Sequence, residues 1–495
     1  MRGRKRIAVA ALVSAAALMA TTVAGAQAAP ERYSGGRAKN VIYLLGDGMG
    51  RTHVTAARER YYGAAGNLNM ERLPVVGQVR TYAVEKNSGQ PGAADFEPNY
   101  VTDSASSATA WASGVKTYNA ALGVDAKGRV APTLMELAKR AGYRTGNIAT
   151  SEITDATPAG QMSHALARGC QGPTYSAASC QDTEITGTPL PTTDVRVTPI
   201  ADQIARNGTA DVILGGGLSR FDAADEQALL GQGYDVLGSP TSQTVATRTD
   251  LQGTQSRKIF GLFNRGNLTV EKYKREIPTA PQAAEPSLPE MTRKAIGLLN
   301  SRSRNGKGFY LQVEGALIDK RSHANDAAQT LEEMKAFDDA VAAAVDFARR
   351  DGNTLVIVTA DHECAGFNIV EQGSFTNAEA TRPPGNTDSG NPANNSIPTR
   401  PSNAKDPARS TGPINGSGST NPANFAPATF RTADDPASVQ DGSPEASLWL
   451  SYLSGNHTGQ DVPLYAYGPR AKDMADSIDN TDLFDVVGRA LRVTR

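Results

Sequence analysis

Short apolar runs alternate with longer stretches of helical spacing along most of the chain. Residues 40–45, rich in Val, Ile, Tyr and Leu, predict a buried strand. The runs 144–150, 211–214, 308–313 and 354–359 predict four more, and 463–467 the last. Between them, Leu134, Leu137 and Ala138 recur at helical spacing within 133–141. The segment 278–300 becomes helical from Glu290, 331–350 is a long amphipathic helix, and 482–491 is a C-terminal one. His164 and Arg168, four apart, are expected on one face of a further helix. Residues 101–114 predict a short helix, because Thr102, Asp103 and Ser104 are capping types, Ala and Ser follow, and Gly114 is a natural stop.

The pattern fails in two places. Residues 366–444 are crowded with Pro, Gly, Asn, Ser and Thr and predict a polar, low-complexity insertion. At the start, a basic Met-Arg-Gly-Arg-Lys-Arg precedes an apolar run from Ile7 to about Ala20, with Ala26-Gln27-Ala28 as a cleavage site. The run is too short to span a membrane, so residues 1–28 are expected to be a secretory signal peptide, with no membrane anchor. The mature product is then extracellular or periplasmic. A formal charge of −1 gives no electrostatic case for a nucleic-acid partner. In an oxidising compartment Cys170 and Cys180, ten apart, suit a local disulfide. Cys364 is then left over, as a buried thiol rather than a bridge or a ligand.

The candidate chemistry sits where the runs end. Strand 40–45 enters Gly46-Asp47-Gly48-Met49-Gly50, a tight turn exposing Asp47 at the edge where open α/β sheets bind ligands. Its spacing matches neither a dinucleotide fingerprint nor a P-loop. Ser104 stands in the first turn of its helix, where backbone N–H groups and the helix dipole favour an anion. Thr154-Asp155-Ala156-Thr157-Pro158 begins a helix and offers oxygens from Asp155 and Thr157. Strand 308–313 ends at Glu314, and Asp319 and His323 follow at the i, i+4 spacing that suits one zinc ion, with Lys320 beside them. Strand 354–359 opens into Asp361 and His362, and a glycine-flanked loop displays His457. Of five histidines, His53 and His164 lack these surroundings and are expected to be structural. Imidazoles with carboxylates suit zinc, and oxygen from Asp47, Glu314, Asp155 and Thr157 suits magnesium. Several metals beside a helix-capping serine make a phosphoryl-transfer site.

The chain resembles the bacterial alkaline phosphatases of the zinc/magnesium type. The resemblance rests on Thr102-Asp103-Ser104-Ala105, on Val313-Glu314-Gly315-Ala316 with Ile318-Asp319-Lys320, and on Thr359-Ala360-Asp361-His362. Matching segments run from 40–50 to 457–459, essentially the mature chain. The resemblance implies Ser104 as nucleophile. It implies one zinc on Asp319, His323 and His457, and a second on Asp361, His362 and Asp47, with Asp47 reaching a third metal. Thr157 and Glu314 would hold magnesium, with Asp155 acting through water. Arg168, oriented by Asp103, would grip two phosphate oxygens, and Lys320 would reach phosphate through water. Cys170 and Cys180 match a disulfide of bacterial relatives, and a second one found in some of them has no counterpart. A homodimer is a family expectation.

The expected fold is α/β, a three-layer sandwich whose mostly parallel central sheet is flanked by helices. Residues 29–495 are expected to form the alkaline phosphatase domain that the resemblance implies. The expected activity is hydrolysis of small phosphate monoesters to alcohol and inorganic phosphate through a phosphoserine, with two zinc ions and one magnesium ion. Two rivals are a phosphodiesterase or sulfatase of the same superfamily, and a secreted phosphate- or metal-binding protein without turnover. A sulfatase Cys/Ser-x-Pro-x-Arg motif is absent at Ser104, and simple binding needs no nucleophile.

Overall fold

A computed structural model describes residues 36–301, 306–372, 390–394, 428–443 and 445–493. The expected signal peptide and the rest of the insertion lie outside them. Among the described residues, ten strands build the central sheet. They are β1 (Asn40–Gly46), β2 (Val75–Arg80), β3 (Arg144–Glu152), β4 (Val212–Gly216), β5 (Asp235–Leu237), β6 (Ile259–Leu262), β7 (Phe309–Gly315), β8 (Thr354–Thr359), β9 (Val462–Tyr467) and β10 (Ser477–Asp479). Their order across the sheet is β10-β2-β9-β8-β1-β7-β3-β4-β6-β5. Only β9 runs antiparallel to its neighbours, β8 and β2. Every residue of β1, β7 and β8 is buried, and Val41–Leu45 and Leu355–Val358 are unbroken apolar runs. Strand β9 is followed by β10 and is therefore not the last.

Helices cover both faces: α1 (Arg51–Tyr62), α2 (Ser104–Ser113), α3 (Leu134–Arg140), α4 (Ala156–Met162), α5 (Leu288–Asn300), α6 (Leu317–His323), α7 (Ala327–Asp351) and α8 (Asp482–Leu491) are those used below. Helices α5 and α7 pack on one face, and α3, α4 and α8 on the other. Their ends follow local rules. Thr133 and Glu136 close a capping box on α3. The Asp103 side chain accepts from Ser106 N to cap α2, and Gly114 ends it in the left-handed region at φ 63°. No helix among the described residues is long and apolar enough to cross a membrane.

Parts of the polar insertion belong to the fold. Asn368–Val370 and Ala428–Phe430 flank Leu448–Ser451 in a three-stranded sheet. Arg60 holds Asp441 in a fork, with bonds of 2.6 and 2.7 Å.

Cys170 and Cys180 are bridged, and Cys364 is free and buried. Burial, and after it the Asp319 charge, pushes the Cys364 thiol well up. A thiol reagent is therefore expected to label nothing in the native, unreduced protein and one site after denaturation. Rapid labelling of the native protein, or none after denaturation, contradicts this assignment.

Candidate active site

Strands β8, β1, β7 and β3 are parallel neighbours, and their register sets Leu45 beside both Thr359 and Glu314, and Glu314 beside Ala149. Their carboxyl ends therefore open on one edge, with Asp47, Glu314, Asp155, Asp361 and His362 at or just past it. The turn after β1 depends on Gly48. Its φ is +69°, and a Cβ there would lie 2.8 Å from Cys364 Cβ and 2.9 Å from Asp319 Oδ1. Gly48 N–H donates to Asp361 Oδ1 at 3.0 Å.

A first cluster joins Asp319, His323 and His457. One turn of α6 brings His323 Nε2 to 3.3 Å from Asp319 Oδ2. His457 Nε2 lies 3.6 Å from Asp319 Oδ1. It is delivered by the antiparallel pairing of Glu363–Cys364 with His457–Thr458. Each ring is oriented by a backbone carbonyl: Gly455 O accepts from His323 Nδ1 at 2.7 Å, and Thr102 O from His457 Nδ1 at 3.0 Å. In the neutral imidazoles both Nε2 lone pairs are thus free, and they face each other across 3.1 Å. A cation between them would turn that repulsion into ligation. Burial alone would raise the Asp319 pKa, but His323 and then His457 outweigh it and hold the carboxyl well below its usual range. Asp319 in turn raises His323, so a proton competes with a metal there.

A second cluster joins Asp47, Asp361 and His362, all buried. His362 Nε2 lies 3.1 Å from Asp361 Oδ2 and 3.7 Å from Asp47 Oδ1. Burial, with Asp361 next, pushes Asp47 up, and burial pushes Asp361 to about 6. Burial and the neighbouring His457 push His362 well down. Asp47 Oδ1, Asp319 Oδ1, Asp361 Oδ2 and His362 Nδ1 are buried without a hydrogen-bond partner. Stranded atoms of this kind are costly. They are also the donor types that zinc takes, so both clusters fit metal ions.

Glu314, near the end of β7, is buried and accepts from Ser151 Oγ at 3.0 Å. Burial, then the Asp155 charge, pushes it up to about 8, while the Lys320 charge and then the Ser151 and Thr157 hydroxyls oppose that. With Asp47 it offers the hard oxygens that magnesium prefers. Asp155 Oδ2 accepts from Lys320 Nζ at 2.6 Å, and Oδ1 from Arg168 Nη2 at 2.8 Å. Burial alone would raise Asp155, but Lys320 and Arg168 overcome it and hold the carboxyl well below the usual range.

Ser104 is the first residue of α2 and nearly buried, with Oγ 3.1 Å from His362 Nε2. Arg168 Nη1 reaches the Asp103 cap at 3.2 Å. Here the expected helix is absent. Helix α4 ends at Met162, Ser163 is extended, and Ala165 bridges Leu122 instead. Arg168 is therefore placed by two carboxylates and not by helical spacing. His164 pairs with Glu136 at 3.1 Å and His53 Nε2 with Ser322 Oγ at 3.0 Å, and neither belongs to the two clusters. Ser104, Arg168, Lys320, His323 and His457 line one open cleft of about 390 Å³.

The family model for alkaline phosphatase matches residues 38–493. The alkaline phosphatase of Escherichia coli K12 is 36% identical, covering 92% of this chain and 86% of its own. Alkaline phosphatase H of Pseudomonas aeruginosa is 33% identical, covering 94% and 88%. The chain belongs to the alkaline phosphatase family. It is a phosphatase, and the fold agrees. The alkaline phosphatase of Thermus thermophilus superposes with a TM-score of 0.65 at 24% identity, covering 97% of this chain and 96% of that one.

Some supporting residues of this chain escape sequence reasoning. Asn119 Oδ1 accepts from Asp103 N and from Ser106 Oγ, both at 2.9 Å, and fixes the cap on α2. Ser107 Oγ donates to Asp361 O at 2.9 Å, and Asn480 and buried Lys116 extend that contact toward β10. Glu363 accepts from Gly366 N and Phe367 N at 3.1 and 2.9 Å, and from Thr458 Oγ1, which steadies the His457 turn. None carries a local signal, since each acts through a residue distant in sequence. Only Glu363, next to His362, could have been picked out by adjacency.

Proposed function

We propose that the chain is exported and hydrolyses phosphate monoesters through a phosphoserine on Ser104, beside two zinc ions and one magnesium ion. The observation that carries this is the position of Ser104 Oγ, 3.1 Å from His362 Nε2, at a helix N-terminus beside clusters of buried atoms that lack partners. Asp319, His323 and His457 would hold one zinc ion, and Asp47, Asp361 and His362 the other. Asp47, Glu314 and Thr157 would hold magnesium, with Asp155 close by. When bound, the metals supply Lewis acidity that activates the serine hydroxyl and stabilises charge on the phosphoryl group. The chain's own residues do the rest. Asp103 and Asp155 hold the Arg168 guanidinium so that its remaining donors can fork onto phosphate oxygens. Lys320 adds positive charge, and the α2 N-terminus offers backbone N–H groups to the phosphoryl oxygens. Ser104 Oγ, giving up its proton, forms a bond to phosphorus in line as the ester P–O bond breaks and the alcohol leaves with a proton. A water oxygen then bonds to phosphorus as the Ser104–phosphorus bond breaks, the serine regains a proton and inorganic phosphate is released.

The bridged Cys170 and Cys180 support an oxidising destination. A mutant alkaline phosphatase from the Antarctic bacterium TAB5 has been solved with Mg bound, which supports a magnesium site in this fold. The reading is tested by metal analysis of the purified enzyme and by rates on nitrophenyl phosphate and the matching diester. It expects zinc and magnesium in the sample and strong preference for the monoester. A faster rate on the diester would move the chain to the phosphodiesterases of the superfamily.

Asp155 is the shared anchor of both phosphate-side cations. Asp155→His is expected to release Lys320 and to raise the Ki for inorganic phosphate roughly tenfold, about 1.4 kcal/mol of product affinity. If product release limits turnover, kcat rises with it. An unchanged Ki at saturating magnesium would show that the Asp155–Lys320 pair does not hold phosphate.

A further inference from the structure

Arg321 lies in α6 between Lys320 and Ser322, and it is only 1% exposed. Its Nη1 donates to the backbone carbonyl of Asn394 at 2.6 Å and reaches Gln329 Oε1 at 3.4 Å. Asn394 belongs to the short piece 390–394 of the polar insertion. That piece is set into a socket formed by residues 266–270. Asn394 Oδ1 accepts from Val270 N, and Nδ2 donates to Leu268 O, both at 3.0 Å. Asn391 Nδ2 donates to Asn267 O and to Thr269 Oγ1, again at 3.0 Å. Both asparagines are buried. The fit is close: a Cβ on Gly266 would stand 2.5 Å from Gly390 C.

The socket leads to the cleft by a second route. Asn267 Oδ1 accepts from Glu152 N at the end of β3, at 3.0 Å, and Glu152 O accepts from Asp155 N at 2.9 Å. The piece 390–394 is thus bonded to α6, which carries Lys320, and through Asn267 to the turn that carries Asp155. Helix α6 has seven residues, too few to hold an orientation on its own. A buried guanidinium also demands partners, and Asn394 O is one only while the piece is seated.

We propose that residues 390–394 are a clamp that sets the separation of Lys320 and Asp155, with Arg321 as the positioning residue through which it acts. This rests on the phosphate-holding role of Lys320 given above. The substrate class is unchanged, and what the clamp tunes is affinity for the phosphate dianion. An insertion that looks dispensable by hydropathy therefore contains five residues on which phosphate binding depends.

The test uses the full-length secreted enzyme saturated with zinc and magnesium. It compares Arg321→Met, Arg321→Lys, the pair Asn391→Ala/Asn394→Ala, Lys320→Ala, and Lys320→Ala combined with Arg321→Met. The quantities read are Ki for inorganic phosphate, KM and kcat on nitrophenyl phosphate, and zinc content. Arg321→Met and the asparagine pair are expected to raise Ki and KM about five- to tenfold, with kcat changed far less. Arg321→Lys should restore Ki to within about twofold, since a cation can still reach the carbonyl. The combined variant should be no worse in Ki than Lys320→Ala alone, because the clamp acts through that lysine. A wild-type Ki in Arg321→Met, or effects that add fully to Lys320→Ala, would overturn the clamp while leaving the phosphate site intact. If Lys320→Ala itself leaves Ki unchanged, the phosphate-holding role falls and the clamp with it. Should Arg321→Met not fold, the asparagine pair decides the matter by the same outcomes.

Discussion

Ser104→Ala is expected to keep its metals and its fold and to lose turnover by roughly 10³- to 10⁶-fold, as when a nucleophile that works as part of a unit is removed. The fold should survive because the α2 cap is Asp103 and not the serine, and alanine is the best helix former. Phosphate should still bind, because Arg168, Asp155 and Lys320 remain paired as before. The loss should therefore appear in kcat, with phosphate Ki little changed. Acid quenching with a labelled monoester gives the direct reading. The wild-type enzyme should carry label on the peptide containing Ser104, and the variant none. Label on another residue, or label retained by the variant, would remove Ser104 from its role.

Metal removal is expected to abolish activity and also to reverse the usual dependence of stability on pH. In the metal-free protein Asp361 sits at about 6 and Glu314 at about 8, and Asp47 is raised too. Each binds its proton more tightly folded than unfolded. Their contribution to stability is present at low pH and is lost as pH rises from the ordinary carboxylate range through the folded values. For Glu314 alone the full loss is on the order of 5 kcal/mol. Asp155 and Asp319 are held low, so their contribution disappears only in stronger acid, below about pH 4. Below about pH 6.5 the buried, neutral His53 and His362 oppose the loss from the raised carboxylates, because they favour the folded state as pH rises. Above it the metal-free protein should become steadily less stable up to about pH 9. Reloading zinc and magnesium should flatten that slope, because ionised carboxylates then face cations. Thermal unfolding of chelated and reloaded samples across this range measures it. Equal stability of the metal-free protein at both ends would show that burial and mutual repulsion do not hold these carboxylates above their ordinary range. Full activity in a verified metal-free sample would refute a metal-dependent reaction.

The strands that hold the site were legible because they are buried on both faces. Residues 41–45 and 355–358 are unbroken apolar runs for that reason. Strand β2 was not, since its burial is mixed, and β10 has only three residues. The spacing of Asp319 and His323 was a faithful guide because α6 is a helix. The same spacing misled at His164 and Arg168, where Ser163 turns extended and tertiary ion pairs decide position. The insertion was the other blind spot. Asn391 and Asn394 are held by side-chain bonds to backbone, and hydropathy assigns such residues to solvent. Cutting 366–444 to a short linker costs little in closure entropy. It would nevertheless remove one partner of Arg321 and two strands of the small sheet.

The strand order across the sheet also decides when the active site can exist. Gly48 bonds to a carboxylate 313 residues away, and Ser104 to a histidine 258 residues away. Neither contact forms until the amino-terminal strand has been joined by β8, most of a chain length later. Parallel pairing between such distant segments is slow and leaves sticky edges exposed meanwhile. A metal ion meeting the unfolded chain would find at most local pairs, Asp319 with His323 and Asp361 with His362, and never a full ligand set. Ligation must then follow chain collapse and not guide it. In this fold the ions would arrive last, at a cradle already built, and their uptake would serve as a clock for completed folding.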